Sequence, residues 1–383
     1  MNWNWQKPDW PHFRWDASAI AAGEEKLLLG AGIVIGAVKH LDKDDLDQLV
    51  VEAMSGEALT TSEIEGEILN RASVQSSIQR YLGLAADKRR TTAAEDGIAE
   101  MMVDLYRSAT QPLSGQLLFY WHGMLMSGRR DLTDVARYRT GAEPMQVVSG
   151  PVGKERVHFE APPSARVPVE MDKFISWFNR TGSRGAEPMP ALARAGIAHL
   201  YFESIHPFED GNGRVGRALA EKALAQSFGQ PTPIGLSTTI LLHRKSYYDA
   251  LEKANKSVEV TAWLAWFAGI AVEAQRRTIA QIEFLIARTK LLDQLRGKIN
   301  DRQQKALLRI FREGLEGFKG GLSAANYSTI TGASPATTTR DLADLVEKGA
   351  LVRTGERKQT RYALHLAPFH RTGIPGGEIN SNH

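Results

Sequence analysis

HPFEDGNGRVGR, His206 to Arg217, decides how the chain is read, because it ends one helix and opens another within twelve residues. Upstream, Leu192, Ala195, Ala198, Phe202 and Ile205 recur at three- and four-residue steps, which predicts one buried stripe on a helix over Pro190–Ile205. The Ile205-His206-Pro207 junction stops that helix, since a residue before proline avoids the right-handed α region. A new helix is expected from near Gly213 to about Ser227. The amides around Gly211, Asn212 and Gly213 open it, so they lack partners inside it and sit at the positive end of its dipole. Glycine leaves that backbone bare to an approaching anion. Arg214 and Arg217 lie three apart on one face, and guanidinium matches phosphate with paired hydrogen bonds. Asp210 is a hard oxygen donor suited to Mg²⁺. His206 titrates near neutrality and can take a proton. A lone Gly-Asn-Gly is ordinarily a turn beside surface arginines. The whole string describes a cradle for a phosphate chain with a metal and a base next to it.

The rest of the chain sets limits on that reading. With 383 residues, 43% of them apolar, it can bury a sizeable core and divide into two or three domains. Its 47 basic and 44 acidic residues nearly balance, so charge alone demands neither nucleic acid nor membrane as a partner. There is no cysteine, hence no disulfide framework and no thiolate metal site. No apolar run approaches the roughly 20 residues of a membrane span, and the N-terminus lacks a secretory pattern. A cytoplasmic protein is expected. Helical periodicity dominates, with segments at Asp42–Leu59, Leu59–Leu82, Ala93–Ala109, Ser114–Met126, Val169–Asn179 and Thr261 to about Ile299. Two β-prone runs around Val147 and Val157 flank Ser149-Gly150-Pro151-Val152-Gly153 and predict a hairpin among the helices. Near the end, Ser334-Pro335 opens a helix that Gly349 closes, with Leu342, Leu345 and Val346 inward, before ALVRTGERKQTRYAL reads strand, basic turn, strand.

HPFEDGNGRVGR resembles the signature of the Fic family, HPFx(D/E)GNGRxxR, and fits every fixed position. The resemblance covers about Leu117 to Leu251 and extends to the N-terminal segment of family members that carry a C-terminal winged helix. It implies a mainly α fold: an N-terminal helical region over 1–110, a Fic core with a β-hairpin flap over 111–255, linking helices over 256–300, a winged helix-turn-helix over 301–368 and a disordered tail over 369–383. It also implies nucleotidyl transfer, in which AMP moves from ATP to a Ser, Thr or Tyr hydroxyl of a target protein. By position, His206 is then the base and Asp210 holds Mg²⁺, with Mn²⁺ equally compatible. The amides of Gly211, Asn212 and Gly213 form the anion hole, and Asn212 also reaches the α-phosphate. Arg214 takes the β-phosphate and Arg217 the γ-phosphate. Phe208 packs inward to fix the loop, and Glu209 completes the nucleotide-binding string.

Thr61-Ser62-Glu63-Ile64-Glu65-Gly66 resembles the family's inhibitory motif, (S/T)xxxE(G/N), with Glu65 pairing with Arg217 and Thr61 at the fixed hydroxyl position. Its neighbours Glu63 and Glu67 compete for the assignment on residue type alone. The resemblance further implies that the flap, Met145 to Ala161, holds an extended target segment by its edge. Tyr247 and Tyr248 are expected beside the adenine, the first for packing and the second for a polar contact. It carries alternatives as well: removal of AMP, another nucleotide donor, a homodimer, or an ATP-sensing regulator. The winged helix could contact DNA or protein through Ala336-Thr337-Thr338-Thr339-Arg340 and through Arg353, Arg357, Lys358 and Arg361. Trp3, Trp5, Trp10 and Trp15 are expected to anchor packing.

Overall fold

The computed structural model describes residues 3–366, apart from 40, 88, 152, 153, 155, 232, 233, 315, 316 and 319. The expected tail over 369–383 therefore lies outside the described residues, as do Val152 and Gly153 of the flap turn and the side chain of Lys358. The chain divides into two compact units between Ile279 and Ala280. The first contains α1 (Ser18–Val38), α2 (Lys43–Ile64), α3 (Arg71–Leu82), α4 (Ala93–Ser108), α5 (Gly115–Leu125), β1 (Gln146–Ser149), β2 (Arg156–Glu160), α6 (Val167–Arg180), α7 (Ala191–Ile205), α8 (Asn212–Phe228), α9 (Leu236–Leu242) and α10 (Arg244–Ala254). The division falls within α11 (Thr261–Leu295).

The centre of this unit is α7, and here the sequence expectation needs correction. Every one of its residues is buried, so it has no solvent face opposite the apolar stripe. Small side chains make this possible, because they let neighbours close in on all sides. A Cβ on Gly196, for example, would sit 2.6 Å from Leu264 Cδ2. Two of its polar residues find backbone partners: Arg194 donates to the carbonyls of Phe178 at 2.8 Å and Ala223 at 3.0 Å, and Ser204 to that of Leu200 at 2.7 Å. Helix start is set from outside. Both carboxylate oxygens of Glu24, on α1, accept from the first amides of α7, Ala191 at 2.6 Å and Leu192 at 2.9 Å.

A second correction concerns α2, which runs unbroken past Leu59 to Ile64. It ends where Gly66 adopts φ +87°. The Gly66 amide donates to Glu63 O and the Glu67 amide to Ser62 O, each at 3.0 Å, the two crossed bonds of a Schellman turn. Asn70 then caps α3 by accepting from the Ser73 amide at 3.1 Å. The hairpin expected around 147 and 157 is present: β1 pairs antiparallel with β2, Gln146 facing Glu160 and Ser149 facing Arg156, with a bulge at Val147–Val148.

The second unit has its own core, including Leu307, Ile310, Tyr327, Leu342, Leu345 and Leu351. Its elements are α12 (Asp301–Phe311), α13 (Ala324–Thr331), α14 (Pro335–Glu347), β3 (Leu351–Thr354) and β4 (Arg361–Leu364), the strands pairing antiparallel. Asp341 on α14 ties the helices together, accepting from Arg302 Nε and from the Tyr327 hydroxyl, both at 3.0 Å.

Candidate active site

The site forms where α7 ends and α8 begins. His206 takes a left-handed conformation, φ +50°, while its amide still donates to Phe202 O at 2.9 Å. A non-glycine residue held there marks a backbone that its surroundings over-determine. Arg139 supplies much of that restraint. Its Nε donates to His206 O at 2.8 Å, its amide to Pro207 O at 2.9 Å and its Nη1 to Ser164 Oγ at 2.8 Å. Burial, joined by the positive charge of Arg139, pushes the His206 pKa down to about 4. The ring is therefore neutral at pH 7, the state a proton acceptor needs.

The loop after His206 is rigid by construction. Phe208 is buried and stacks on His122, ring centroids 4.0 Å apart. The Ala136 amide donates to His122 Nδ1 at 3.0 Å, which leaves Nε2, 3.2 Å from Asp210 O, as the protonated nitrogen. Asn212 accepts from the Phe208 amide and donates to the Phe208 carbonyl, both at 2.9 Å. Its side chain thus brackets the loop itself. Glu209 faces away from the cradle and accepts from the amides of Thr133 and Asp134 at 2.9 Å. Gly211, at φ +80°, turns the chain into α8, whose first amides receive no side-chain cap.

Three charged residues of the string converge at this helix start, and each meets an opposite charge from elsewhere. Asp210 accepts from Arg129 Nη1 at 2.6 Å. Burial opposes its ionisation, but the hydrogen bonds from Arg129 and from the Gly211 amide outweigh it and hold the carboxyl below its ordinary range. Arg214, 5% exposed, pairs with Glu67 at 2.7 Å. Arg217, 2% exposed, pairs with Glu65 at 2.7 Å. Burial alone would lower the Arg217 pKa, yet the charge of Glu65 raises it, so the guanidinium stays ionised. Thr61 completes the grip, its hydroxyl accepting from Arg217 Nε at 2.7 Å and its carbonyl from Nη2 at 2.9 Å. Arg217 Nη1 and Arg214 Nε are buried donors without a protein acceptor. Gly213 makes room for the arrangement, because a Cβ there would collide with Glu65 Oε1.

Glu65 occupies an unusual place electrostatically. It is the C-terminal cap of α2, where a negative charge opposes the helix dipole. It simultaneously lies against the N-terminal turn of α8, where negative charge is favoured. Ile64, the residue before it, is held by two side chains. Arg244 Nη2 donates to its carbonyl at 2.7 Å and the Tyr248 hydroxyl at 3.2 Å. Tyr247 is buried, and its hydroxyl meets His199 Nε2 at 2.8 Å. Glu203 completes the interior, with Oε2 3.8 Å from His206 Nδ1. Burial, reinforced by the charge of Glu65, pushes the Glu203 pKa up to about 8.

The flap is braced from two sides. Glu252 on α10 meets Arg156 at 2.9 Å and His158 at 2.8 Å. Trp5 Nε1 donates to Glu160 O at 2.7 Å, and Trp3 packs edge-on against Phe159. Sequence reading did not single out Arg129, Arg139, His122, Glu203 or Arg244. Glu67 had one signal, its place just past the glycine that ends α2.

Comparison with known proteins agrees with this architecture. Residues 3–84 match a domain of unknown function, DUF4172, and residues 112–224 match the Fic/DOC family. A relative from Aquifex aeolicus named "Probable protein adenylyltransferase aq_aa38" is 32% identical over 102 residues, 27% of this chain and 28% of that one. "Protein adenylyltransferase Fic" of Aedes aegypti is 36% identical over 88 residues, 23% of this chain and 16% of that one. The chain thus spans less than a third of the length of these curated relatives. Two solved structures share the fold. A Fic family protein from Desulfovibrio desulfuricans G20 aligns over 93% of this chain and 97% of that one, with TM-score 0.51 and 21% identity. A Fic domain containing signaling protein from Bacteroides thetaiotaomicron aligns over 68% and 97%, with TM-score 0.52 and 15% identity. Residues 112–224, which hold α7, the loop after it and most of α8, thus match the Fic/DOC family in sequence, and the fold around them is that of solved Fic family structures.

Proposed function

We propose that this protein transfers AMP from ATP to a Ser, Thr or Tyr hydroxyl of a target protein and of itself, and that Glu65 restrains it. The observation that carries the reading is the start of α8, where two buried arginines and an uncapped helix N-terminus face a neutral imidazole. In the reaction His206 takes the hydroxyl proton, the oxygen bonds to the α-phosphorus, and the bond from that phosphorus to the bridging oxygen of the β-phosphate breaks. Pyrophosphate leaves. Arg214 and Arg217 hold the β- and γ-phosphates, and the amides of Asn212 and Gly213, joined by that of Gly211 once it leaves the Asp210 carboxylate, stabilise charge on the α-phosphate. Tyr247 and Tyr248 border the adenine.

Asp210 fits a Mg²⁺ ion, which typically uses one or two carboxylates plus substrate phosphates. Among the described residues no cluster of three His, Cys, Asp or Glu offers a protein-only metal cage. Bound there, the ion would neutralise charge on the departing pyrophosphate. Glu65 blocks productive binding because its carboxylate occupies Arg217 and repels a γ-phosphate. Misplacing the α-phosphate by about 1 Å is enough to cost on the order of 10²-fold. The same carboxylate, close to the base, suits the reverse hydrolysis of a modified protein as a second activity.

The flap edge binds the target, in a protein that works as a monomer or homodimer. We place the reaction in the cytoplasm; no helix among the described residues is long and apolar enough to cross a membrane. In the second unit, Thr339, Arg340, Arg353 and Arg357 are exposed while Thr338 is buried. That surface suits a winged helix contacting DNA or a protein partner. Purified Glu65→Gly incubated with ATP gains self-attached AMP about 10²-fold faster than wild type, measured by mass spectrometry. Equal rates would remove the restraint from the reading, and no AMP on either protein would remove the activity.

A further inference from the structure

The two acids of the Schellman turn engage different arginines. Glu65, at the cap, takes Arg217; Glu67, two residues on, takes Arg214. Gly66 at φ +87° sets their directions, since its left-handed turn sends the chain back across the start of α8. Arg214 has little alternative support. Its remaining near acid, Asp210, lies 3.9 Å away and is already bound by Arg129. Arg217, by contrast, keeps two hydrogen bonds that it donates to Thr61.

We infer that Glu67 is a specificity-determining residue of the nucleotide site: it competes with a β-phosphate for Arg214, while Glu65 competes with a γ-phosphate for Arg217. This rests on the reading above, in which the two arginines hold those two phosphates. The turn then acts as a gauge of phosphate-chain length. AMP meets neither acid, ADP must displace Glu67, and ATP must displace both. The β-phosphate contact, met by ADP and ATP alike, is thus separate from the γ-phosphate contact that restrains transfer. Both acids are reachable from solvent: the Glu67 side chain is 37% exposed over an Arg214 side chain at 6%, and Glu65 34% over Arg217 at 2%, so an entering phosphate can replace either acid without unpacking the helix.

The test is a binding ladder of AMP, ADP and ATP on wild type, Glu67→Ala and Glu65→Gly, by titration calorimetry in Mg²⁺ buffer. Circular dichroism melts confirm that each variant folds, and Glu67→Gln serves as a second, shape-conserving variant. Expected for Glu67→Ala is an ADP affinity about 5- to 10-fold higher with AMP unchanged, the scale of one competing charge pair. Glu67→Gln shifts ADP the same way by less. Glu65→Gly improves ATP binding and leaves ADP within about twofold. The inference is overturned if Glu67→Ala tightens ATP alone, which would mean that Glu67 only steers Glu65. It is equally overturned if Glu65→Gly tightens ADP as much as Glu67→Ala does, or if ADP affinity does not move. If no nucleotide binds any of the proteins, the functional reading fails instead. The two failures therefore look different.

Discussion

The starts of α7 and α8 both face a carboxylate from the N-terminal segment, and they use it in opposite ways. At α7, Glu24 bonds directly to two backbone amides, 2.6 and 2.9 Å away. That is an ordinary anion cap, and it satisfies donors that would otherwise be buried unpaired. At α8, Glu65 and Glu67 bond to arginine side chains instead, and the helix receives no side-chain cap. One carboxylate stabilises a helix. The other two cover a helix start whose amides stay available. Similar charges in similar places thus divide, according to what they bond, into a helix cap and a pair of covers over two arginines.

The comparison can be broken at several points. The largest effect is expected at the base: His206→Ala in the Glu65→Gly background loses about 10²- to 10⁴-fold in AMP transfer while ATP still binds, read by mass spectrometry beside calorimetry. Transfer unchanged by this substitution would strip the α8 start of its catalytic neighbour. Next comes Glu24→Ala, which should destabilise by about 1 kcal/mol, the worth of a cap, and lower the melting temperature by roughly 2–4 °C. Its transfer rate, measured in the Glu65→Gly background, should stay within about twofold. A large rate change with an unchanged melt would show that the two starts are not distinct after all.

The smallest effect concerns pH. Glu203 has its pKa raised from 4.5 to about 8, so the fold favours its protonated form. The stability this contributes is fully present below about pH 4.5 and is lost as pH rises through about 8. Glu203→Gln, which cannot ionise, should therefore flatten the decline in melting temperature between pH 6 and pH 9. Parallel declines in both proteins would assign that dependence to other groups, the half-buried Glu221 first among them, since desolvation and the nearby Glu57 raise its pKa too.

The cradle was legible because it is local: base, carboxylate, glycines and arginines lie in one string, and their spacing across a helix break carries their meaning. The end of α2 was misplaced because Leu59 looked like a boundary, whereas the crossed bonds at Gly66 decide it. The covering charges were hard to see for a different reason. Arg129 lies 81 residues from Asp210, and Glu67 lies 147 from Arg214. No periodicity links residues so far apart; only the packing of α2 and α5 around α8 does. The complete burial of α7 is hidden likewise, because Arg194 and His199 find their partners, Ala223 and Tyr247, on distant elements.

The 147-residue separation between Glu67 and Arg214 also fixes an order in time. Translation runs from the N-terminus, so the acids have left the ribosome well before either arginine is made. A nascent chain therefore never presents the finished cradle without already holding its cover. Trp3 and Trp5, which brace the flap strand, belong to that same early segment. If Glu65 and Glu67 restrain the site as proposed, the chain is born with that restraint in place, and silence is its first state.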